Sequence, residues 1–444
     1  MRVSIGSFGK TGVRPWSRPG RGRRRPGRAA GITGVAVSLA VALAACTSAR
    51  AASLTAAASG VPSGMSCAWP SELSAQKNNN YFPDSAAEYF IQPIVASAGT
   101  RIVLSGRFPD ARYASADVYT PAGVGTSLPD YQIAPRPGSV NPWQRKAAPG
   151  GRFTVTIRPD PAPGQANTLP LPAGTTSQHP GYLIYRVYLP AGGDFSAVPV
   201  PALTVEQGNA ARTLPYCRSH NAPVPLPTGG GSGTPAPTPP PLEFYKPEQS
   251  TFNNGGLANV DTSYAIAYLA RPPADDVVVV TAKAPTFPPG SHPSPWPGRG
   301  DDLRYWSMCV GVGISGVPVV ANQLPGGRTD YGCRADQATR LNAAGDYTYV
   351  IGGESQRAAI SRIPGVTFLP FSTSYPTGLY LLGLRDTLVS SGFTHSPRDV
   401  TQANDPAATA AAMGPYYPRT AVCPLATLTA KGPRACLEAS GSER

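Results

Sequence analysis

Short runs of alternating apolar and polar residues recur along the chain and predict β-strands. The runs are rich in β-branched and aromatic residues, and Pro or Gly clusters bound them. In the first part of the chain the predicted strands are Arg101–Ser105, Tyr113–Tyr119, Arg152–Arg158 and Tyr182–Leu189. In the second part they are Asp276–Ala282, Arg304–Val310, Val317–Asn322, Asp346–Ile351 and Gly378–Leu384.

The hydrophobic pattern gives one clear helix signal, near the carboxyl terminus. Asp405 can cap a helix, Pro406 suits its first turn, and Gly414-Pro415 ends it. Proline is otherwise spread along the whole chain, with 52 residues in 444, which favours short strands over long helices. The predicted fold is therefore mainly β: two tandem antiparallel β-sandwich domains joined by a Pro/Gly linker, with a short C-terminal helix.

The predicted organisation follows from changes in composition along the chain. The segments are a signal peptide (1–45), a lipidated flexible tether (46–66), a first β-sandwich domain (67–222), a Pro/Gly-rich linker (223–241), a second β-sandwich domain (242–402), and a C-terminal helix with a disulfide-pinched tail (403–444). A flexible tether of this length spans about 25 Å.

Three sequence blocks recur in the same order in both parts, which predicts a tandem duplication. DSAAEYFIQPIVASAGTRIVLSG is loosely repeated as DTSYAIAYLARPPADDVVVVTA, and GRFTVTIRPD as GDYTYVIGGE. The third block, NTLPLPAGTTSQHPGYLIYRVYLP, is repeated as VTFLPFSTSYPTGLYLLGLRDTL, which places Arg186 opposite Arg385.

The third block also resembles a known family. Asn167-Thr168-Leu169-Pro170 and then Tyr182–Pro190 are similar to the closing strands of a bacterial domain of unknown function, the twelve-fourteen type, with the pattern N-W-L-P … L-R-x-Y-x-P. Thr168 stands where that family usually has Trp, and the second part keeps only Phe368-Leu369-Pro370 and Arg385. The resemblance implies an antiparallel β-sandwich, and it implies no particular activity because the family has none that is settled.

The amino terminus has the pattern of an export signal. A basic stretch, RGRRRPGR, precedes an apolar run that ends in Leu43-Ala44-Ala45-Cys46. This ending resembles the bacterial lipobox, which implies that Cys46 receives a diacylglyceryl group and becomes the new amino terminus. The alternatives are an uncleaved signal-anchor helix and ordinary cleavage at an A-x-A site, and the export route stays open. The predicted location is extracytoplasmic, attached to the cell membrane through Cys46.

Six further cysteines remain, and an even number in an exported chain predicts disulfides. Their positions favour three pairs: Cys67 with Cys217, Cys309 with Cys333, and Cys423 with Cys436. The first bridge would restrict the unfolded chain by about 4–5 kcal/mol in the loop-entropy model. Metal binding is the competing interpretation, but there is no C-x-x-C spacing and the four histidines are scattered. We therefore expect no metal and no cofactor.

Charge and short motifs narrow the function only slightly. Nine of the thirteen net positive charges precede Cys46, which leaves a net charge of four on the mature chain. This mild charge predicts no clustered basic patch, and we therefore expect no nucleic-acid partner. Gly311–Gly316 fits G-x-G-x-x-G, but a strand pattern follows it, so we expect a β-turn rather than a dinucleotide site. Ser74–Lys77 fits S-x-x-K, a pattern that is common by chance.

One predicted strand carries a polar, aromatic face. Tyr113, Ser115, Asp117 and Tyr119 share one side of the strand by period two. We expect this side to face solvent or a cleft, where it could bind a ligand together with Arg186 and Arg385. The alternatives are a solvated sheet face and a structural ion pair between Arg186 and Asp117.

These patterns favour a non-enzymatic, membrane-anchored envelope lipoprotein that binds a cell-wall component, a partner protein or a small ligand. The first alternative is an extracytoplasmic hydrolase acting on wall glycans or esters, with Asp110, Asp117 and Asp130 as its nearest candidate carboxylates. The second alternative is a structural spacer.

Overall fold

The computed structural model describes residues 65–224, 242–248 and 257–441. We call residues 65–224 the first half and residues 242–441 the second half. The predicted signal peptide, Cys46, and most of the predicted tether and linker lie outside the described residues. Both halves belong to one compact unit.

The first half is a sandwich of two five-stranded sheets. Its strands are β1 (Ser71–Leu73), β2 (Ala87–Ile94), β3 (Thr100–Arg107), β4 (Ala111–Tyr119), β5 (Gly125–Pro129), β6 (Arg152–Arg158), β7 (Thr168–Pro170), β8 (Gly181–Pro190), β9 (Ala202–Gln207) and β10 (Ala210–Thr213). Sheet I has the order β1-β2-β8-β4-β5, and sheet II has the order β10-β9-β3-β6-β7. All pairs are antiparallel except β6 with β7.

The second half repeats this arrangement. Its strands are β11 (Thr262–Ala270), β12 (Asp276–Lys283), β13 (Leu303–Val312), β14 (Ala321–Gln323), β15 (Thr329–Tyr331), β16 (Cys333–Ala335), β17 (Asp346–Gly352), β18 (Val366–Pro370), β19 (Leu379–Val389) and β20 (Arg419–Pro424). Sheet III has the order β11-β19-β13-β16, sheet IV has the order β18-β17-β12-β20, and β14 pairs with β15. The predicted mainly β fold is confirmed.

Strand order and register show how the halves correspond. The order β2-β8-β4-β5 in sheet I matches β11-β19-β13-β16 in sheet III, and β9-β3-β6-β7 matches β20-β12-β17-β18. Arg186 pairs with Tyr89, and Arg385 pairs with Tyr264. The first repeated block begins at Asp84 in one copy and at Asp261 in the other, so the prediction aligned these two residues. The strand pairing aligns Asp84 with Asn259 instead, so the predicted register of this block was wrong by two residues.

Strands β4, β8 and β13 are buried along their whole length because each has two packed faces. Leu183, Tyr185 and Val187 of β8 point into the core of the first sandwich. The alternate residues Arg186 and Tyr188 point at the second half, and the Tyr188 ring lies 5.2 Å from the Tyr305 ring. Sheets I and III therefore face each other, and they join the sandwiches into one body.

Two ion pairs cross between the halves reciprocally. Arg112 of β4 pairs with Asp336 at 2.6 Å, and the matching Arg304 of β13 pairs with Asp130 at 3.1 Å. All four side chains are at most 1% exposed. Asp130 and Asp336 occupy the same place in each half, at the first residue of a 3-10 turn after β5 or β16.

A second set of reciprocal contacts surrounds these pairs. Asp84 of the first half accepts hydrogen bonds from Tyr305 at 2.8 Å and Ser307 at 2.6 Å. Asp261 of the second half accepts from Tyr113 at 2.8 Å and Ser127 at 2.6 Å. In each half, the segment before the first long strand therefore packs on the sheet of the other half, as in a self-complementary interface.

The three predicted disulfides are present: Cys67–Cys217, Cys309–Cys333 and Cys423–Cys436. The first ties the two ends of the first sandwich together across 150 residues, and the other two close shorter loops in the second half. Such bonds fit an oxidising, extracytoplasmic compartment.

The C-terminal region holds more structure than the sequence indicated. A single turn, α1 (Arg357–Ile360), lies earlier, between β17 and β18. The C-terminal region contains the predicted helix, α2 (Pro406–Met413), capped by Asp405, which accepts from the Ala408 N–H at 3.0 Å. A further helix, α3 (Leu425–Ala439), bends at Gly432 and Pro433. None of the helices in the described part of the chain is long and apolar enough to cross a membrane.

Two local predictions for the second half had to be corrected. Strand β20, placed in the tail by the sequence, completes sheet IV by pairing with β12. The predicted strand Val317–Asn322 is reduced to β14 and a bridge from Val319 to Gly311. The glycine motif Gly311–Gly316 begins in the last two residues of β13 and continues as a turn, as expected, and no helix follows it.

We expect the crossed ion pairs to be needed for stability. Replacing Asp130 or Asp336 by Asn leaves a buried arginine without its counter-charge, so each change should lower the free energy of unfolding by about 3–5 kcal/mol. Urea denaturation measures this. The exposed Asp275→Asn serves as the control, with a change of about 0.5 kcal/mol or less. A loss of less than about 1 kcal/mol at both buried aspartates would contradict the role given to these pairs.

Candidate functional site

The polar face predicted on β4 is buried between the two halves, so the expectation that it faces solvent or a cleft was wrong. Tyr113, Ser115, Asp117 and Tyr119 are all at most 1% exposed. Tyr119 donates a hydrogen bond to the carbonyl of Ala258 at 2.7 Å, and Ser115 donates to Asp117 at 2.9 Å. Sheet III and residues 257–261 occupy the space that a ligand would need.

Arg186 and Arg385 are buried in the same interface. Arg186 forms the structural ion pair with Asp117 that was the alternative to ligand binding, and it also donates to the carbonyl of Leu257. Arg385 donates to the carbonyl of Phe82, and its guanidinium lies 3.6 Å from Asp84. These contacts join the halves, and they give the two arginines a structural role.

The carboxylates considered for a hydrolase do not form a catalytic pair. Asp110 contacts His292 at 2.8 Å near the surface, whereas Asp117 and Asp130 are buried against Arg186 and Arg304. Burial raises the pKa of Asp130 to about 6, and Arg304 opposes that shift. Each carboxylate thus contacts a different partner, and two of the three are closed off from solvent.

The lysine of the S-x-x-K motif is also engaged elsewhere. Lys77 pairs with Glu72 and, at 3.1 Å, with Glu88. Burial raises the pKa of Glu88 to about 8, and the neighbouring Glu72 adds to the shift. The ammonium group therefore bridges two carboxyl groups, which does not provide a base for Ser74.

One group of three possible metal ligands occurs among the described residues: Asp84, Cys309 and Cys333. The two sulfur atoms are bonded to each other. A disulfide supplies no thiolate, so the group does not suit a metal ion in this state.

A basic surface lies on the outer side of sheet II, and we call it the arginine face. Arg101 and Arg107 project outward from β3, and Arg152 and Arg158 project outward from β6, since the alternate residues Ile102, Leu104, Phe153, Val155 and Ile157 fill the core. The remaining outward positions of β3 and β6 are Val103, Ser105, Thr154 and Thr156, and Thr204 lies next to them on β9, so most of these positions carry hydroxyl groups. The expectation of no clustered basic residues was therefore wrong.

The charges on this face are not balanced within the sheet. Glu206 is the one acidic residue on the outward positions of β3, β6 and β9 as described, and it lies 3.5 Å from Arg101. Arg107 and Arg152 are exposed and stand directly opposite each other in the strand pairing. Like charges at opposed positions destabilise a sheet unless an anion lies near them.

The matching face of the second half is covered. There Val277 and Val279 of β12 and Val350 of β17 stand where the first half has Arg101, Val103 and Thr156. These valines pack with Leu428 and Leu437 of α3 in one buried cluster. The two copies therefore use the same sheet face differently, and the first copy leaves it in solvent.

A second polar site lies at one end of the second sandwich, in a narrow depression that is partly open to solvent and whose cavity volume of about 10 Å³ is close to that needed for one water molecule. Asp386 of β19 and Tyr347 of β17 line it, and both are at most 3% exposed. Burial raises the pKa of Asp386 to about 7, because Arg398 only partly offsets the loss of water. Burial likewise raises the pKa of Tyr347 well above its usual value, and the charge of Asp386 contributes.

Neither surface was singled out from the sequence, although the arginine face had a signal there. In RIVLSGR and RFTVTIR the arginines fall on the positions that alternate with the core residues. The depression had no such signal, because it brings together strands β12, β17 and β19 with residues that follow them.

The architecture defines a two-sandwich β protein with a fused interface. No family model matches the chain, and no curated protein matches it. Similar solved structures include an uncharacterised protein from Burkholderia cenocepacia, 15% identical over 81% of this chain and 83% of that chain, with a TM-score of 0.47. The VPA0106 protein from Vibrio parahaemolyticus is 11% identical over 73% of this chain and 90% of that chain, with a TM-score of 0.37. Similarities this low assign neither a family nor a function.

We expect Asp386 to make stability depend on pH. The folded protein keeps the proton of this carboxyl up to about pH 7, whereas the unfolded chain loses it near 3.8. Between these values the folded state binds more protons, so the free energy of unfolding falls as pH rises.

Asp386→Asn should therefore flatten this dependence between about pH 4 and pH 7, by up to about 1.4 kcal/mol per pH unit, in urea denaturation. Asp275→Asn, at an exposed site, should leave the slope unchanged. An unaltered slope in Asp386→Asn would show that this carboxyl does not titrate differently in the folded state.

Proposed function

We propose that this chain is a membrane-anchored, extracytoplasmic binding protein that holds a linear anionic polymer of the cell envelope on its arginine face. The observation that carries the proposal is the unbalanced row of outward arginines on sheet II. Its counterpart in the second half is closed by α3.

The spacing of the arginines favours an extended partner. Arg152 and Arg158 are six residues apart on one strand, which corresponds to about 20 Å. Arg107 stands beside Arg152 at one end of this row, and threonine and serine hydroxyls lie between the ends. Guanidinium groups bind phosphate and carboxylate through paired hydrogen bonds, and hydroxyls can bond to the sugar units of a polymer.

The compartment supports such a partner. The three disulfides fit an oxidising environment, where wall polymers rather than nucleic acids are the abundant polyanions. The predicted anchor at Cys46 and the tether of about 25 Å would keep the first half close to the membrane and the inner wall.

Reversing charge on the arginine face tests the proposal. The double change Arg152→Glu and Arg158→Glu should weaken binding of polyphosphate or polygalacturonate by about tenfold or more, since both ends of the row would repel the polymer. Titration calorimetry at two salt concentrations measures this, and binding to the native chain should weaken at the higher salt. The double change Arg218→Glu and Arg299→Glu, at two exposed positions outside the face, alters the net charge equally and is the matched control.

Two outcomes would contradict the proposal. One is equal weakening by the control pair, Arg218→Glu with Arg299→Glu, and by the double change on the face, which would indicate a general charge effect. The other is binding to vesicles of anionic phospholipid without binding to either polymer, which would make the face a membrane contact.

The anchor has its own test, the intact mass of the protein purified from membranes, before and after reduction and thiol alkylation. We expect a diacylglyceryl group on an amino-terminal Cys46, and six cysteines that react only after reduction. A chain without lipid, or cysteines that react without reduction, would overturn the compartment and the anchor.

A further inference from the structure

The depression at the end of the second sandwich contains polar groups that the fold itself does not require. Strand pairing matches Leu369 to Leu169 and Ile351 to Ile157, so Tyr347 corresponds to Phe153. The correspondence of Arg385 with Arg186 likewise matches Asp386 to Val187. Phe153 and Val187 are buried in the core of the first half. The same sandwich is therefore built with apolar residues at both positions.

The Tyr347 hydroxyl lacks the partner that buried groups usually have, since it is buried without a hydrogen bond. The neighbouring Asp386 carboxyl accepts no hydrogen bond within the described residues, but its oxygens keep contact with solvent in the depression, and Arg398 acts on it only through its charge. Leaving a buried polar group unpaired costs about 1–3 kcal/mol, so an unpaired hydroxyl beside a carboxyl favours a bound donor in the depression.

The walls and rim define what that donor can belong to. Phe393, Met413 and Tyr416 line the depression with apolar and aromatic surface. Lys283 stands at its edge, with the ammonium nitrogen 5.2 Å from the centre of the Tyr416 ring. A carboxyl among aromatic rings suits an organic cation, whereas the lysine at the edge suits an anionic group farther out.

We propose that this depression binds a small zwitterion of the amino-acid class. Its primary ammonium group donates hydrogen bonds to Asp386 and to the Tyr347 hydroxyl, and its carboxylate faces Lys283. An ammonium group has three donors and is about the size of a water molecule, which matches a narrow floor with two acceptors. The site is separate from the arginine face, so either proposal can fail without the other.

Binding can be measured by NMR titration of the full mature chain with glycine, methylamine and acetate. We expect glycine to bind most tightly, methylamine more weakly, and acetate not at all, because only the first two carry the ammonium group. Binding of glycine should strengthen between about pH 6 and pH 8 as Asp386 loses its proton.

The first half supplies matched variants that should fold. Asp386→Val and Tyr347→Phe introduce the residues found at the corresponding positions there, and Asp275→Asn is the control. Asp386→Val should weaken glycine binding by at least about tenfold and Tyr347→Phe by about two- to tenfold, with the control unchanged. Far-UV circular dichroism and the thermal midpoint verify that each variant is folded.

Three results would overturn the proposal. The first is that neither glycine nor methylamine shifts the resonances of the native chain, which would make the depression a site for ordered water only. The second is that acetate binds and methylamine does not. The third is that a folded Asp386→Val variant binds glycine as tightly as the native chain, which would place binding elsewhere.

Discussion

Two buried ion pairs that cross between the sandwiches fix how the halves are assembled. Arg112 reaches Asp336 and Arg304 reaches Asp130, so each half supplies one cation and one anion to the other. Removing these charges from water is costly, and the cost is offset only when each arginine meets its own carboxylate. One alignment of sheet I against sheet III satisfies both pairs. The remaining contacts of the interface, including those of Asp84 and Asp261, depend on that alignment.

This assembly decides which surfaces remain for function. Sheets I and III cover each other. Their contact buries the tyrosines of β4, Arg186 of β8 and Arg385 of β19. Sheet IV is covered by α3, which the Cys423–Cys436 bond ties to β20. Sheet II remains in solvent, and its outward positions carry mostly arginine, threonine and serine, where the matching face of sheet IV carries valines. An interaction surface on the outer side of sheet II is thus consistent with the way the other three sheets are used.

The two copies have diverged in complementary ways around the same strand framework. The first keeps an apolar sandwich interior and carries arginines on the outer side of sheet II. The second has an apolar outer sheet covered by its tail, and it places a carboxyl and a phenol at one end of its interior. Val187 and Phe153 occupy the matched positions in the first copy, so the fold forms with apolar residues there as well as with polar ones. The polar choice at Asp386 and Tyr347 therefore needs an explanation beyond folding.

The sequence by itself determined eight of the twenty strands (β3, β4, β6, β8, β12, β13, β17 and β19), the three disulfides and helix α2, because alternation, cysteine position and capping act over short distances or through a few distinctive residues. It did not reveal α3, since Gly432 and Pro433 interrupt the helical pattern, nor the place of β20, whose partner β12 lies about 140 residues earlier. Only the tertiary structure decided the role of Tyr113, Asp117 and Arg186. A polar strand face looks the same in sequence whether it meets water or a second sheet, and here its partners come from residues far along the chain.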